Sequence, residues 1–251
     1  MGQLQGKVAI ITGAGSGFGE GMAEAYIREG AKVLIADLNA EAGERVAKKL
    51  GANAKAVATD VANADSVNAM VKACVDAFGI PDIVINNAGT THKNQPMLNV
   101  DEKTFDRVFN VNVKSIYFMA HAIVPLMRQR GKGGVILNVG STAGIRPRPG
   151  LSWYNASKGA VNLLSRAMAV ELAPDNIRVN ALCPVMGATG LLGDFMGVPD
   201  TPENRAKFVS TIPLGRFCEP KDMAAAAVFL GTDGAEFLTG LEMPVDGGRT
   251  I

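Results

Sequence analysis

Short apolar runs alternate with longer amphipathic segments along the chain. The runs are rich in Val, Ile and Leu, and they predict strands at residues 7–12, 32–37, 54–59, 82–86, 134–139, 178–183 and 241–245. The segments between them carry apolar residues at helical spacing and predict helices at residues 17–29, 40–50, 64–78, 102–128, 152–173 and 220–230. In the helix at 102–128, we expect Pro125 to bend or shorten the end, because proline lacks the N–H that a helix interior needs.

Strands that are apolar on both faces are typical of a sheet covered by helices on both sides. Helices between successive strands favour parallel neighbours joined by right-handed crossovers. We therefore expect an α/β fold, a doubly wound parallel sheet of seven strands in a single domain of residues 1–251. Residues from about 185 to 210 hold several glycines and prolines without clear periodicity, which predicts a mobile substrate loop with short helices.

Composition and charge exclude several classes of partner. The chain has 25 Lys and Arg against 24 Asp and Glu, and no basic block supports nucleic acid or a membrane surface as partner. The three cysteines show no CxxC spacing and the two histidines are far apart, so we expect no metal site. We find no signal region and no membrane-spanning run, and we expect a reduced, cytoplasmic protein with a small-molecule partner.

A glycine-rich turn follows the first predicted strand and precedes the first predicted helix. Gly13 would allow a tight turn, while Gly17 and Gly19 would let the backbone approach a pyrophosphate. The free N–H groups of the helix N-terminus suit that anion. The candidate cofactor-binding residues here are Gly13, Ser16, Gly17, Phe18 and Gly19. The alternative, an ordinary glycine-rich turn, is disfavoured by the position between strand and helix.

Asp37 ends the second predicted strand, and Leu38 follows it. A carboxylate at this place can accept hydrogen bonds from the adenosine ribose hydroxyls and repels a 2′-phosphate. No Arg or Lys occupies residues 14–19 or 38–40 to pair with such a phosphate. We therefore expect a preference for NAD(H) over NADP(H). The alternative is a solvated aspartate at the end of a strand.

Further motifs follow in order along the chain. They are Asp60-Val61, Asn86-Asn87-Ala88-Gly89, Asn112, Ser141, Tyr154-Asn155-Ala156-Ser157-Lys158, Pro184 with Thr189, and Asp246-Gly247-Gly248. With the glycine-rich turn, they resemble the short-chain dehydrogenase/reductase family in its common branch of about 250 residues. The resemblance covers essentially the whole chain. It implies a Rossmann-type fold and a homotetramer.

The resemblance also implies a role for each motif. Asp60 and Val61 would contact the adenine. The segment Asn87, Ala88 and Gly89 would stabilise the sheet and lie along the cofactor, and Thr189 after Pro184 would contact the nicotinamide carboxamide. The catalytic residues would be Asn112, Ser141, Tyr154 and Lys158, with Tyr154 and Lys158 also binding the cofactor.

The proposed catalytic residues suit proton transfer to a substrate oxygen. Tyr154 and Lys158 are four residues apart in a predicted helix and share a face. An ammonium beside a phenol favours the phenolate and lowers the pKa of the tyrosine, which could then act as acid or base. Ser141 could hold the substrate oxygen, and Asn112 could bend its helix and position a water that connects Lys158 to solvent.

Three side chains are candidates for substrate contact. His92 could bond a polar substrate, although a loop histidine is more often simply solvated. Arg148 could meet a carboxylate or a hydroxyl-rich substrate. Trp153 precedes Tyr154 and is as well suited to a subunit interface as to the pocket.

The leading hypothesis is an NAD(H)-dependent oxidoreductase acting on a secondary alcohol or ketone, such as a small alcohol, a polyol or a sugar. One alternative is a 3-oxoacyl thioester reductase that uses NADPH, for which Asp37 is a poor fit. A remote alternative is a dinucleotide-sensing protein without turnover. Such proteins typically lose the catalytic Tyr or Lys, and both Tyr154 and Lys158 are present.

Overall fold

The computed structural model describes residues 2–187, 190 and 192–251. Within these residues, seven strands form one parallel sheet. They are β1 (Val8–Thr12), β2 (Lys32–Asp37), β3 (Ala54–Ala58), β4 (Ile83–Asn86), β5 (Gly134–Val139), β6 (Ile177–Pro184) and β7 (Glu242–Val245). Every strand expected from the sequence is present, and no strand end differs by more than one residue.

Helices occupy the connections between the strands. They are α1 (Gly17–Arg28), α2 (Ala40–Leu50), α3 (Ala64–Phe78), α4 (Glu102–Phe109), α5 (Ser115–Arg130), α6 (Ser152–Leu172), α7 (Leu192–Met196), α8 (Pro202–Val209) and α9 (Pro220–Gly231). The short helices α7 and α8 lie in the loop expected at about 185–210, whose mobility stays a prediction. None of the helices in the described part of the chain combines the length and apolar character needed to cross a bilayer.

Alternate residues of each strand point to opposite faces of the sheet, and an apolar core fills each face. Ala9 and Ile11 of β1 pack into the core shared with α1, α2 and α9. Val8 and Ile10 pack into the core shared with α3, α5 and α6. This double covering confirms the Rossmann-type, doubly wound α/β fold expected from the sequence.

The strand order β3-β2-β1-β4-β5-β6-β7 creates a switch point in the sheet. The chain runs outward from β1 to β3 and then returns to place β4 on the other side of β1. Loops leaving the carboxyl ends of β1 and β4 therefore diverge, which opens a crevice suited to a ligand.

The long helix expected at 102–128 is interrupted. A π-helical turn at Asn110–Lys114 separates α4 from α5. Contrary to expectation, Pro125 does not shorten α5, which continues to Arg130 and ends at Gly131 with a left-handed φ of 68°. Buried Ile123, Val124 and Met127 surround the proline, and their packing holds the helix across the lost hydrogen bond.

Candidate active site

The glycine-rich turn between β1 and α1 lies at the switch point. Gly13 and Gly17 have φ angles of 62° and 57°, in the left-handed region that favours glycine. A Cβ on Gly19 would collide with the carbonyl oxygen of Gly13, so a larger residue would push α1 away from the turn. The backbone can therefore approach a ligand closely at the N-terminus of α1, which suits a pyrophosphate.

Asp37 braces this turn from the end of β2. Its Oδ2 accepts a hydrogen bond from the Gly15 N–H at 2.8 Å, and its Oδ1 accepts one from the Asn39 N–H at 2.9 Å. Each carboxylate oxygen keeps a further lone pair for a ribose hydroxyl. Leu38, beside it, is apolar and 75% exposed. The nearby guanidinium of Arg45 donates to the carbonyl oxygen of Gly15 at 2.7 Å and pairs with Glu20.

Asn87 ties the end of β4 to the turn. Its Nδ2 donates to the carbonyl oxygens of Thr12 and Gly13, at 2.8 Å and 3.1 Å. The backbone N–H groups of Asn87 and Ala88 both donate to Thr12 Oγ1 at 3.0 Å. These bonds hold the carboxyl ends of β1 and β4 together and fix the floor of the crevice.

The four side chains proposed for catalysis come from three separate parts of the chain. Ser141 follows β5, Tyr154 and Lys158 lie on α6, and Asn112 lies in the π-helical turn. All four are buried. Ser141, Tyr154 and Lys158 line one cavity, whereas Asn112 stands behind its wall. The fold thus brings together side chains that lie far apart in the sequence.

Asn112 uses its side chain to join two segments. Its Oδ1 accepts from the Thr90 N–H at 2.8 Å, and its Nδ2 donates to Thr90 O at 2.9 Å and to Ser157 Oγ at 3.0 Å. The side-chain amide thus links the segment after β4 to α6 through hydrogen bonds. The π-helical turn agrees with the local distortion expected at Asn112, while its role in positioning a water stays a prediction.

Burial dominates the protonation of the central pair. It raises the pKa of Tyr154 to about 12, although the Ser141 hydroxyl and the Arg148 charge both lower it. Burial lowers the pKa of Lys158 to about 8. Lys158 Nζ donates to the carbonyl oxygen of Val139 at 2.7 Å. Arg148, from the loop after β5, is thus a cation that favours the phenolate of Tyr154. The effect of Lys158 on Tyr154 that the sequence suggests stays a prediction.

A cavity of about 1500 Å³ connects the glycine-rich turn with the catalytic residues. Most of the expected cofactor-binding residues line it: Gly13, Ser16, Gly17, Phe18, Asp37, Leu38, Asp60, Val61, Asn87, Ala88, Gly89, Tyr154, Lys158 and Pro184. Gly19 packs behind the turn, and Thr189 lies outside the described residues. A backbone cradle for phosphates and a carboxylate at the end of β2 fit a dinucleotide.

Two of the three candidate substrate residues lie away from this cavity. His92 is buried, with Nδ1 at 2.9 Å from the carbonyl oxygen of Lys93. Trp153 donates from Nε1 to Met97 O at 3.1 Å and packs edge-on against Phe105. Arg148, by contrast, lines the cavity. Of the three, only Arg148 is therefore placed to contact a ligand in the cavity.

Arg249, near the C-terminal end of the chain, also lines the cavity, and it was not identified as a site residue from the sequence. It follows β7, while Arg146 and Arg148 follow β5. Arg146 Nη1 donates to the carbonyl oxygen of Arg249 at 2.9 Å, which brings the two loops together. No local sequence pattern predicts this contact, because the two residues are far apart in the sequence.

Known proteins similar to this chain cover its whole length. A family model described as enoyl-(acyl carrier protein) reductase matches residues 13–250. The chain is 49% identical to the 4-formylbenzenesulfonate dehydrogenase of Comamonas testosteroni, over 99% of each protein. It is 35% identical to the sorbitol dehydrogenase of Cereibacter sphaeroides, over 98% of each.

A solved structure is similar to the same extent. It is the crystal structure of a 3-ketoacyl-(acyl-carrier-protein) reductase from Brucella melitensis complexed with NADH. The two chains are 48% identical, and the match covers 99% of this chain and 100% of that chain with a TM-score of 0.94.

Proposed function

The chain belongs to the short-chain dehydrogenase/reductase family, and we propose that it is an NAD(H)-dependent oxidoreductase that interconverts a secondary alcohol and a ketone. Membership of the family makes it an oxidoreductase. The substrate would be a small alcohol, a polyol or a sugar-like molecule, as in the similar sorbitol dehydrogenase. One observation carries the proposal: Tyr154, Ser141 and Lys158 line the same cavity as the glycine-rich turn.

Ser141 is arranged to hold the reacting oxygen of the substrate. Its Oγ accepts a hydrogen bond from the Ala143 N–H at 3.0 Å, so its own proton is free to be donated. The hydroxyl also lowers the pKa of Tyr154, which places the two oxygens near each other. A carbonyl or alcohol oxygen between them would be positioned by Ser141 and exchange its proton with Tyr154.

A tyrosine is protonated at neutral pH, since its ordinary pKa is about 10, and burial of Tyr154 raises the pKa further, to about 12. In that form it can donate a proton to a carbonyl oxygen during reduction. Oxidation needs the phenolate, which the positive charge of Arg148 favours. When bound, the nicotinamide supplies or accepts the hydride. Lys158, held by Val139 O, would orient the nicotinamide ribose.

The proposed preference for NAD(H) rests on Asp37. Its carboxylate lines the cavity and has lone pairs for a ribose diol, and it would repel a 2′-phosphate. Leu38 offers that phosphate no positive charge. The similar structure from Brucella melitensis is complexed with NADH, which supports the same preference.

A second candidate function is the reduction of 3-oxoacyl thioesters. The similarity to a 3-ketoacyl-(acyl-carrier-protein) reductase favours it. Asp37 argues against the NADPH that the sequence-based alternative assumed. A reductase of this kind would oxidise NADH in the presence of a 3-oxoacyl thioester and would show little activity with polyols.

The test follows reduced nicotinamide by absorbance. The purified protein is mixed with NAD⁺ and secondary alcohols, polyols, aldoses or 3-hydroxyacyl thioesters. We expect Tyr154→Phe to keep NADH binding and to lose turnover by orders of magnitude, because the hydroxyl that it removes lies at the reacting oxygen. Equal turnover in wild type and Tyr154→Phe would remove the acid/base role. A wild type that binds NADH and turns over none of the panel would point to the dinucleotide-sensing alternative.

We also propose a homotetramer in which α5 and α6 pair between subunits. Tyr117 on α5 is 56% exposed, and Leu163 and Val170 on α6 are 60% and 80% exposed. Apolar side chains on neighbouring helices favour burial against another copy. Sedimentation equilibrium measures the mass directly, and a monomer would contradict this assembly.

A further inference from the structure

The charged residues that line the cavity are divided between its two ends. The lining carboxylates are Asp37 and Asp60, which follow β2 and β3. The lining cations all come from later segments: Arg107 follows β4, Arg146, Arg148 and Lys158 follow β5, Lys207 follows β6, and Arg249 follows β7. In the strand order, β2 and β3 lie on one side of β1, while β4, β5, β6 and β7 lie on the other. The end that holds Tyr154 is therefore the positively charged one.

Arg148 and Arg249 have no carboxylate partner within the described residues. Arg148 is half-buried, with Nη2 at 3.5 Å from Phe195 O and its guanidinium 5.0 Å from the centre of the Phe208 ring. Asp246 acts on Arg249, but its oxygens already accept from Gly248 and Thr250. Most donors of both guanidinium groups remain available to a ligand.

The cations also act on one another. Burial lowers the pKa of Arg148 and of Arg249, and a neighbouring like charge lowers each further, that of Arg249 on Arg148 and that of Arg146 on Arg249. Both guanidinium groups stay charged at neutral pH, because the pKa of arginine is so high. Half-buried like charges without counterions cost free energy, which a bound anion would offset.

The positive end is next to the reacting atoms. The Phe195 ring lies 5.0 Å from the Tyr154 ring, centre to centre, and the Phe195 carbonyl oxygen lies beside Arg148. The Phe208 ring also packs against the Arg148 guanidinium. Since Tyr154, Phe195, Phe208 and Arg148 line the same cavity, a flat molecule with its oxygen at Tyr154 would have aromatic rings and a guanidinium beside it.

We propose that the substrate carries an oxyanion, such as a carboxylate, that binds Arg148 and Arg249 while its reacting oxygen lies at Tyr154. A guanidinium presents paired donors that match the two oxygens of a carboxylate. The inference rests on the proposed function, because it takes Tyr154 as the place of the reacting oxygen. A small molecule fits better than an acidic carrier protein, because Arg148 and Arg249 are half-buried inside the cavity.

The test compares an acid with its neutral isostere. Benzoate and benzamide are titrated into the full-length protein saturated with NADH, and binding is followed by cofactor fluorescence. We expect benzoate to bind at least about tenfold more tightly than benzamide, since a hydrogen bond to a charged group contributes roughly that much. Benzenesulfonate and phenyl phosphate, measured in the same way, show which oxyanion geometry the site prefers.

Substitutions of the two arginines test whether the preference for the acid arises in the cavity. Arg148→Gln and Arg249→Gln should each reduce the benzoate-to-benzamide ratio by about tenfold, and Arg148→Lys should retain part of it. Arg205→Gln is the matched control, because it removes one positive charge from α8 at an exposed pair with Asp200. Its ratio should equal that of the wild type.

Equal binding of acid and amide, no binding of any acid, or a ratio unchanged in both glutamine variants would overturn the inference. The inference would also fail if Arg148→Gln and Arg249→Gln lost turnover with thioesters of an acyl carrier protein but with no other substrate. The readout is independent of turnover, so Tyr154→Phe should keep the preference for acids. A preference for acids without any turnover would contradict the proposed function alone.

Discussion

Replacement of Asp37 by asparagine tests the choice of cofactor. Asparagine keeps the shape of the side chain and one acceptor oxygen, but it removes the negative charge. The amide group would also face one of the two backbone N–H donors, of Gly15 or Asn39, that the carboxylate accepts. The lost bond should lower the free energy of unfolding by about 1 to 3 kcal/mol, which the folded protein can tolerate.

The effect on cofactor binding follows from two changes. Hydrogen bonds from ribose hydroxyls to a carboxylate are stronger than those to a neutral amide by about 1 kcal/mol each, which lowers NADH affinity about tenfold. Loss of a charge about 5 Å from a 2′-phosphate removes roughly 3 kcal/mol of repulsion at the effective dielectric of a half-buried site. Because roughly 3 kcal/mol corresponds to about 150-fold, the ratio of NADH to NADPH affinity should fall by on the order of 1000-fold.

Fluorescence titration with NADH and NADPH gives this ratio directly. Asp76→Asn, an exposed change on α3, is the matched control and should leave the ratio unchanged. Adding Leu38→Arg to Asp37→Asn should strengthen NADPH binding further, because Leu38 is exposed at the same edge of the cavity. A ratio that stays the same in Asp37→Asn would refute the role given to this carboxylate.

Three further changes test the rest of the site. Lys158→Met removes a buried amine whose pKa falls from 10.5 to about 8 on folding. Between these pH values the unfolded chain binds one more proton than the folded chain, so the stability of the wild type rises with pH. Relative to the variant, the wild type should gain on the order of 3 kcal/mol in free energy of unfolding from pH 8 to pH 10.5, measured by denaturation. Gly19→Ala should abolish NADH binding, because its Cβ would clash with the carbonyl oxygen of Gly13. The control Gly43→Ala in α2, where a Cβ would meet its nearest neighbour at 3.6 Å, should raise stability by up to about 1 kcal/mol. A Gly19→Ala protein that binds NADH normally would contradict the packing argument. Asn112→Ala loses three hydrogen bonds and should cost about 3 kcal/mol with a large loss of turnover, and full activity in that variant would show that the link between Thr90 and α6 is dispensable.

Much of the fold and part of the site follow from local patterns in the sequence. Strand and helix bounds depend on the spacing of apolar residues, and β2, α2, α3 and β5 begin and end where the sequence predicts. The glycine-rich turn is equally local, because its shape depends on the conformational freedom of glycine. Tyr154 and Lys158 share a helix face for the same reason, since their spacing sets their geometry.

What depends on contacts between distant residues could not be predicted in this way. The interruption of the helix after α4 accompanies the bonds of Asn112 to Thr90 and Ser157, which come from other elements. His92 and Trp153 looked like pocket residues in the sequence, but neighbouring loops and α4 hold them outside the cavity. Only the folded chain determines which side of a loop residue faces a ligand.

The charges and pKa values of the site depend on the tertiary structure. A helical spacing placed Lys158 near Tyr154, yet burial raises the pKa of the tyrosine, and Arg148 lowers it from a different loop. The charges of Arg148 and Arg249 interact because Arg146, in the loop after β5, bonds the carbonyl oxygen of Arg249 after β7. The sequence thus determined the fold, the glycine-rich turn and the identity of the candidate catalytic residues. The tertiary structure decided their protonation and the charge around the substrate, because burial and long-range neighbours exist only after the chain has folded.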